Sequence, residues 1–102
     1  MEIKYKISGS DLYLYVSGEL DENSALSAKN ILDKVISNHA FAKSVIFDLS
    51  SLSFMDSTGV GLLIGRYKKL RQYSIPAFIR GASSSAEKVI ELAGLYGIMP
   101  KC

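Results

Sequence analysis

The sequence predicts an α/β domain, a mixed β-sheet packed by helices in the order β-β-α-β-α-β-α. Three observations carry that expectation. Two alternating apolar runs open the chain, Ile3-Tyr5-Ile7 and Leu12-Leu14-Val16. Three apolar stripes follow at three- and four-residue spacing. Short apolar runs separate the stripes. The 102 residues leave room for one domain, 1–102, and little more.

Lys4 and Lys6 alternate with the first apolar run, and Tyr13 and Tyr15 with the second. Ser8-Gly9-Ser10-Asp11 lies between them, so the pair reads as an antiparallel hairpin with one buried face. Gly18-Glu19-Leu20-Asp21-Glu22-Asn23-Ser24 breaks the alternation and supplies several helix-capping residues. Ala28, Ile31, Leu32, Val35 and Ile36 then form the first helical stripe, ended by Asn38-His39-Ala40. Val45-Ile46-Phe47 with Leu49 reads as a strand buried on both faces, and Leu52, Phe54 and Met55 continue it toward the next turn. Val60, Leu63, Ile64 and Tyr67 form the second stripe. Pro76-Ala77-Phe78-Ile79 is a short strand with proline at its first residue. Ala86, Val89, Ile90 and Ala93 form the third stripe, with Gly94 where a helix C-cap belongs. Leu95-Tyr96-Gly97-Ile98 is a last apolar piece and a candidate final strand.

Composition narrows the function. Apolar residues make up 48% and the net charge is +2, which excludes a disordered chain. The basic residues are scattered, except for Arg66, Lys68, Lys69 and Arg71. That group falls in the second helix and reads as a solvated face, so no nucleic-acid partner is expected. No leader-like segment opens the sequence, and the apolar run Val60–Ile64 is too short for a membrane span. The single cysteine, Cys102, can form neither an internal disulfide nor a metal site, which points to a cytoplasmic setting.

Chemistry concentrates at Asp56-Ser57-Thr58-Gly59, where a buried strand gives way to a helix. Asp56 suits the N-cap, accepting from free N–H groups of the first turn. Gly59 and Gly61 are harder to explain, since each glycine in a helix interior costs about 0.8–1 kcal/mol relative to alanine. Either the helix packs closely on its own sheet, or a partner approaches its backbone; both readings stand. The glycines run G-x-G-x-x-x-G through Gly65, which is not the dinucleotide-binding spacing. Ser57 lacks a G-x-S-x-G elbow, and His39 is the sole histidine and sits in a loop. Asp48 and Asp56 near strand ends are thin support for acid–base work. No enzyme activity, catalytic residue or cofactor is expected.

The stretch Val45-Ile46-Phe47-Asp48-Leu49-Ser50, followed by Leu52-Ser53-Phe54-Met55-Asp56-Ser57-Thr58-Gly59-Val60-Gly61-Leu62-Leu63-Ile64-Gly65-Arg66-Tyr67-Lys68, closely resembles the STAS-domain anti-sigma factor antagonists, above all the sporulation type. Gly18-Glu19-Leu20-Asp21 is similar to the family's loop before its first helix, and Leu92-Ala93-Gly94-Leu95-Tyr96 to its segment after the third. The resemblance implies a STAS-type sheet. It also implies a partner switch. The unphosphorylated protein binds an anti-sigma factor that is also a serine kinase, and so releases a sigma factor, which it touches only indirectly. The kinase uses ATP to phosphorylate the serine at position 57, which ends binding, and a serine phosphatase restores it. Asp21, Asp56, Ser57, Thr58, Gly59 and Gly61 then form the partner-binding set. Thr58 is a second hydroxyl. Asp21, with Glu19 and Glu22, either meets a basic surface of the kinase or serves only capping and solvation. An alternative is a STAS binding module of a general-stress or sensor-complex pathway. In one departure, the family commonly continues past the Gly-Leu-Tyr segment into a further helix, whereas only six residues follow Tyr96 here.

Overall fold

The structure is a computed structural model and describes residues 1–102. Strands β1 (Glu2–Ser8) and β2 (Asp11–Leu20) form the expected antiparallel hairpin, with Ser8 opposite Asp11 across a two-residue turn. Helix α1 (Ala25–Ser37) crosses to β3 (Ser44–Asp48), which runs parallel to β2 from Asp11 to Tyr15. Strand β4 (Leu52–Met55) leads into α2 (Ser57–Gln72), and β5 (Ala77–Arg80) runs parallel to β3 on its far side. Helix α3 (Ser84–Leu92) and a short 3-10 turn, Leu95–Gly97, follow.

Two elements differ from the sequence reading. Residues 52–55 do not continue β3. They form a separate strand, parallel to the last residues of β2, after a turn closed by Leu52 N–H donating to Leu49 O at 3.1 Å. After that turn Leu52, Phe54 and Met55 pair with Gly18, Glu19 and Leu20 at the end of β2, and a register shift between Gly18 and Glu19 leaves Ser53 unpaired in a bulge. Gly18 has φ +87° there, a conformation that favours glycine. The second difference is Leu95–Ile98, which is no strand. Gly94, at φ +70°, ends α3 in the left-handed conformation and turns the chain directly into the 3-10 segment. Only Lys101 reaches the sheet, as a single bridge to Ile79.

One core unites the sheet and the helices. Leu12, Leu14 and Val16 of β2, Val45 and Phe47 of β3, and Ala77 and Ile79 of β5 share it with Ala28, Leu32 and Ile36 of α1, Val60, Leu63 and Leu70 of α2, and Ala86 and Ile90 of α3. The alternation therefore places every helix on one face of the sheet. The strand at 45–49 is buried on both faces, as expected, but no helix covers the second face. There Lys4, Tyr15, Asp48 and Arg80 line up across four strands. Ile46 and Asp48 are each 6% exposed. Large neighbours cover them: Tyr13 and Tyr15 stack with centroids 6.3 Å apart, and the Arg80 guanidinium lies 4.7 Å from the Tyr13 ring centre.

Candidate partner-binding site at the start of the second helix

Asp56 is the N-cap of α2, as its residue type predicts. Its backbone is extended, and its Oδ1 accepts from Thr58 N–H at 2.9 Å and Gly59 N–H at 3.3 Å. Ser57 is the first helical residue; it is exposed, and its hydroxyl makes no hydrogen bond. Thr58 beside it is also exposed. Capping by Asp56 thus fixes the backbone of the turn while leaving Ser57 Oγ free.

The loop after β2 lies against this turn. Leu20 pairs with Met55, and Asp56 N–H reaches Leu20 O at 3.4 Å. Asp21, the next residue, shapes its own loop: Oδ1 accepts from Asn23 N–H at 2.9 Å and Ser24 N–H at 3.1 Å. Ser24 Oγ in turn donates to Glu19 O at 2.8 Å. Asp21 therefore has a structural task as a loop cap, while Glu19 and Glu22 stay exposed.

The two glycines separate. A Cβ at Gly59 would lie 2.5 Å from Met55 Cγ and 3.1 Å from Leu20 O, so this glycine answers the close packing of α2 on the sheet. A Cβ at Gly61 would meet nothing within 4 Å, and neither would one at Gly65. Internal packing does not account for these two. Ser57, Gly61, Gly65 and Lys68 recur at three- and four-residue steps, so they share one helix face. Gly61 and Gly65 leave two gaps in the side-chain cover of that face, beside Ile64, which leans partly into the core. In the sequence, the spacing of four between Gly61 and Gly65 is the signal for this face, apart from any nucleotide-loop pattern. Phe54, just before the turn, is 48% exposed, although in the sequence it reads as one more apolar residue between Leu52 and Met55. An exposed aromatic in a four-residue strand leaves no such trace in sequence.

The basic group of α2 does not form one solvated face. Arg66 is 7% exposed. It lies three residues after Leu63 and four before Leu70, so it falls on the core-facing stripe. Its Nε is 2.9 Å from Asp33 Oδ1 of α1, an ion contact without hydrogen-bond alignment, and Nη1 is buried with no partner. Lys68 and Arg71 remain exposed.

Asp48 is held by Ser50 and Arg80. Burial alone would raise its pKa, but Ser50 Oγ at 2.6 Å, Ser50 N–H at 2.9 Å and Arg80 Nε at 2.7 Å outweigh it and hold the carboxyl below its ordinary value. His39 packs between Tyr5 and Phe41, with Nδ1 2.7 Å from Val35 O, the loop role its position suggested. No cluster of three or more His, Cys, Asp or Glu is placed to hold a metal, and no helix is long and apolar enough to cross a membrane.

The STAS domain family model matches residues 2–102. The chain belongs to the STAS domain family. Among its relatives, an anti-sigma F factor antagonist of Paenibacillus polymyxa is 29% identical over 87% of this chain and 75% of its own length. An anti-sigma-B factor antagonist of Listeria monocytogenes is 30% identical over 97% of this chain and 88% of its own. The fold of the STAS domain also recurs in solved structures. The anti-sigma factor antagonist SpoIIAA in its unphosphorylated form superimposes with a TM-score of 0.78 at 24% identity, over 99% of this chain and 88% of that one. An anti-sigma factor antagonist from Mycobacterium paratuberculosis gives 0.85 at 22% identity, over 98% and 83%.

Proposed function

We propose that this STAS domain is an anti-sigma factor antagonist, switched by phosphorylation of Ser57. One observation carries the reading: an exposed, unbonded serine hydroxyl on the first residue of α2, continuous with a helix face bared by Gly61 and Gly65. The relatives' names support the class of partner. The unphosphorylated form binds an anti-sigma factor that is also a serine kinase and so frees a sigma factor. The kinase moves the γ-phosphoryl group of ATP onto Ser57 Oγ, ADP leaves, and the hydroxyl proton passes to the kinase's base. A serine phosphatase hydrolyses the ester and restores the hydroxyl. Asp56, Thr58, Gly59, Gly61 and Asp21 shape the contact around Ser57.

The phosphate would act at the interface and not on the fold. It adds about −1.5 to −2 charge. The helix N-terminus favours such a charge by roughly 0.3–1 kcal/mol when exposed. Asp56 next door opposes it by roughly 1–5 kcal/mol, taking ~6 Å and an effective dielectric of 20–80. Ser57 is exposed, so nothing in the core must move to admit the ester. A partner surface fitted to a hydroxyl is different: an unpaired dianion costing ~4 kcal/mol there weakens binding about a thousandfold.

The test is incubation with the anti-sigma kinase and ATP, then mapping of the phosphate by mass spectrometry. Modification at Ser57 with loss of kinase binding is expected. Phosphate on Thr58 or elsewhere, or undiminished binding by the modified protein, would refute the switch. The Listeria relative aligns over more of the chain than the Paenibacillus relative at similar identity. A second reading is therefore the same switch in a pathway of the sigma-B type instead of a sporulation pathway. Pull-down of the partner kinase separates the two.

A further inference from the structure

A concave site lies at the other end of α2, fourteen residues and so about 21 Å of helix from Ser57. It is a cleft of about 440 Å³ between the end of α2, the outer edge of β5 and the segment after the 3-10 turn. That volume falls within the range of about 300–1,000 Å³ typical of small-ligand pockets. Its apolar walls include Ile75, Phe78, Ile98 and Pro100. Arg71 is its only charged lining residue. No carboxylate pairs with Arg71; its Nη1 instead donates to Tyr67 Oη at 3.0 Å, which steadies the guanidinium over the Tyr67 ring.

Backbone groups add to the site. Pro76 O and Arg80 O accept from Val45 N–H and Leu49 N–H at 3.0 Å each, so the even-numbered residues of this stretch bond to β3. Ile79 faces the outer edge, where it donates to Pro100 O at 3.0 Å and accepts from Cys102 N–H at 2.9 Å. Ala77, two residues earlier, turns its N–H and C=O to the same edge with no strand beside it. Ser74 completes the lining. It holds φ +59°, the one non-glycine residue with positive φ, in the closing turn of α2 where Ile75 N–H reaches Leu70 O and Ser74 N–H reaches Arg71 O, both at 3.0 Å. Glycine occupies that position without strain, so a serine there retains a hydroxyl at the cleft against the backbone preference.

We infer that this cleft binds a small organic carboxylate with an apolar body. The carboxylate pairs with Arg71 and Ser74 Oγ, and the body lies on Ile75, Phe78, Ile98 and Pro100. The carbonyl end of α2 borders the cleft and opposes any anion, so Arg71 has to outweigh it, and a carboxylate monoanion loses less there than a phosphate dianion.

The test is an amide NMR titration of the full chain with phenylacetate, alongside benzyl alcohol and phenyl phosphate. Phenylacetate should give saturable shifts centred on Arg71, Ser74, Ala77 and Phe78, with Kd on the order of 1–10 mM for so small a probe. Benzyl alcohol, and phenylacetate with Arg71→Gln, should bind at least tenfold more weakly. Arg71 is exposed, so the remaining amides of that variant should not move. Ser74→Gly relieves the turn and should still weaken phenylacetate several-fold. Absence of saturable shifts at these amides, equal affinity of Arg71→Gln, or unchanged affinity of Ser74→Gly would overturn the site as drawn. Tighter binding of phenyl phosphate would overturn the carboxylate assignment.

Discussion

Replacing Gly61 by alanine separates folding from partner recognition in one experiment. Gly61 is the fifth residue of α2, past the first turn, and the added Cβ meets no atom within 4 Å. The substitution removes the backbone entropy penalty of glycine without steric cost, so the isolated protein should gain about 0.5–1 kcal/mol. For a domain of this size that raises Tm by roughly 2–8 °C. Binding should move the other way. A methyl group standing on a surface fitted to bare backbone costs about 1–3 kcal/mol, or roughly 5- to 150-fold in Kd for the anti-sigma kinase. Thermal melts by circular dichroism and calorimetric titration with the kinase read the two effects. A lower Tm would show that the space above Gly61 is not open. A higher Tm with unchanged kinase affinity would show that this helix face does not meet the partner.

Gly59→Ala should behave oppositely in the melt, losing about 1–2 kcal/mol, because the new methyl is forced against Met55 and the fixed carbonyl of Leu20; equal stability would disprove the packing role. Asp33→Ala should destabilise by about 1–3 kcal/mol, less than a fully buried pair because Asp33 is 26% exposed, by stranding Arg66. Adding Arg66→Met should recover most of that in urea titrations, and a double variant no better than the single would refute the account. Asp48→Asn should cost about 1–2 kcal/mol at pH 7 through its bonds to Ser50 and Arg80. The folded carboxyl lies below its ordinary value, so its stabilisation is present above the unfolded pKa near 4 and is lost as pH falls through the folded one. The gap between Asp48→Asn and the parent should therefore narrow below about pH 4, and a gap constant with pH would argue against a depressed pKa. Ser57→Ala should keep the parent's Tm within about 0.5 kcal/mol of stability, as expected at an exposed, unbonded site, while accepting no phosphate.

Much of the fold and of the site was legible in the sequence, because local periodicity and capping chemistry act over a few residues. The alternation of β1 and β2, the stripes of the three helices, Asp56 as N-cap and Gly94 as the end of α3 all depend on near neighbours. The separate strand at 52–55 was not legible. It is separate because residues 52–55 pair with Gly18, Glu19 and Leu20, more than thirty residues away, instead of extending β3. Arg66 was misread for a related reason: composition marks a charge as exposed, but α2 turns that position toward α1, where Asp33 meets it.

By itself the sequence determined the α/β class, the capped turn at Asp56-Ser57-Thr58-Gly59 and the presence there of glycines that helix propensity cannot explain. Only the tertiary structure decided what each glycine is for. Gly59 lies under Met55 and against Leu20, while Gly61 and Gly65 stand in open space. Helix propensity penalises all three alike, and only the position of the neighbouring elements distinguishes a glycine that admits the sheet from one that leaves room outside it.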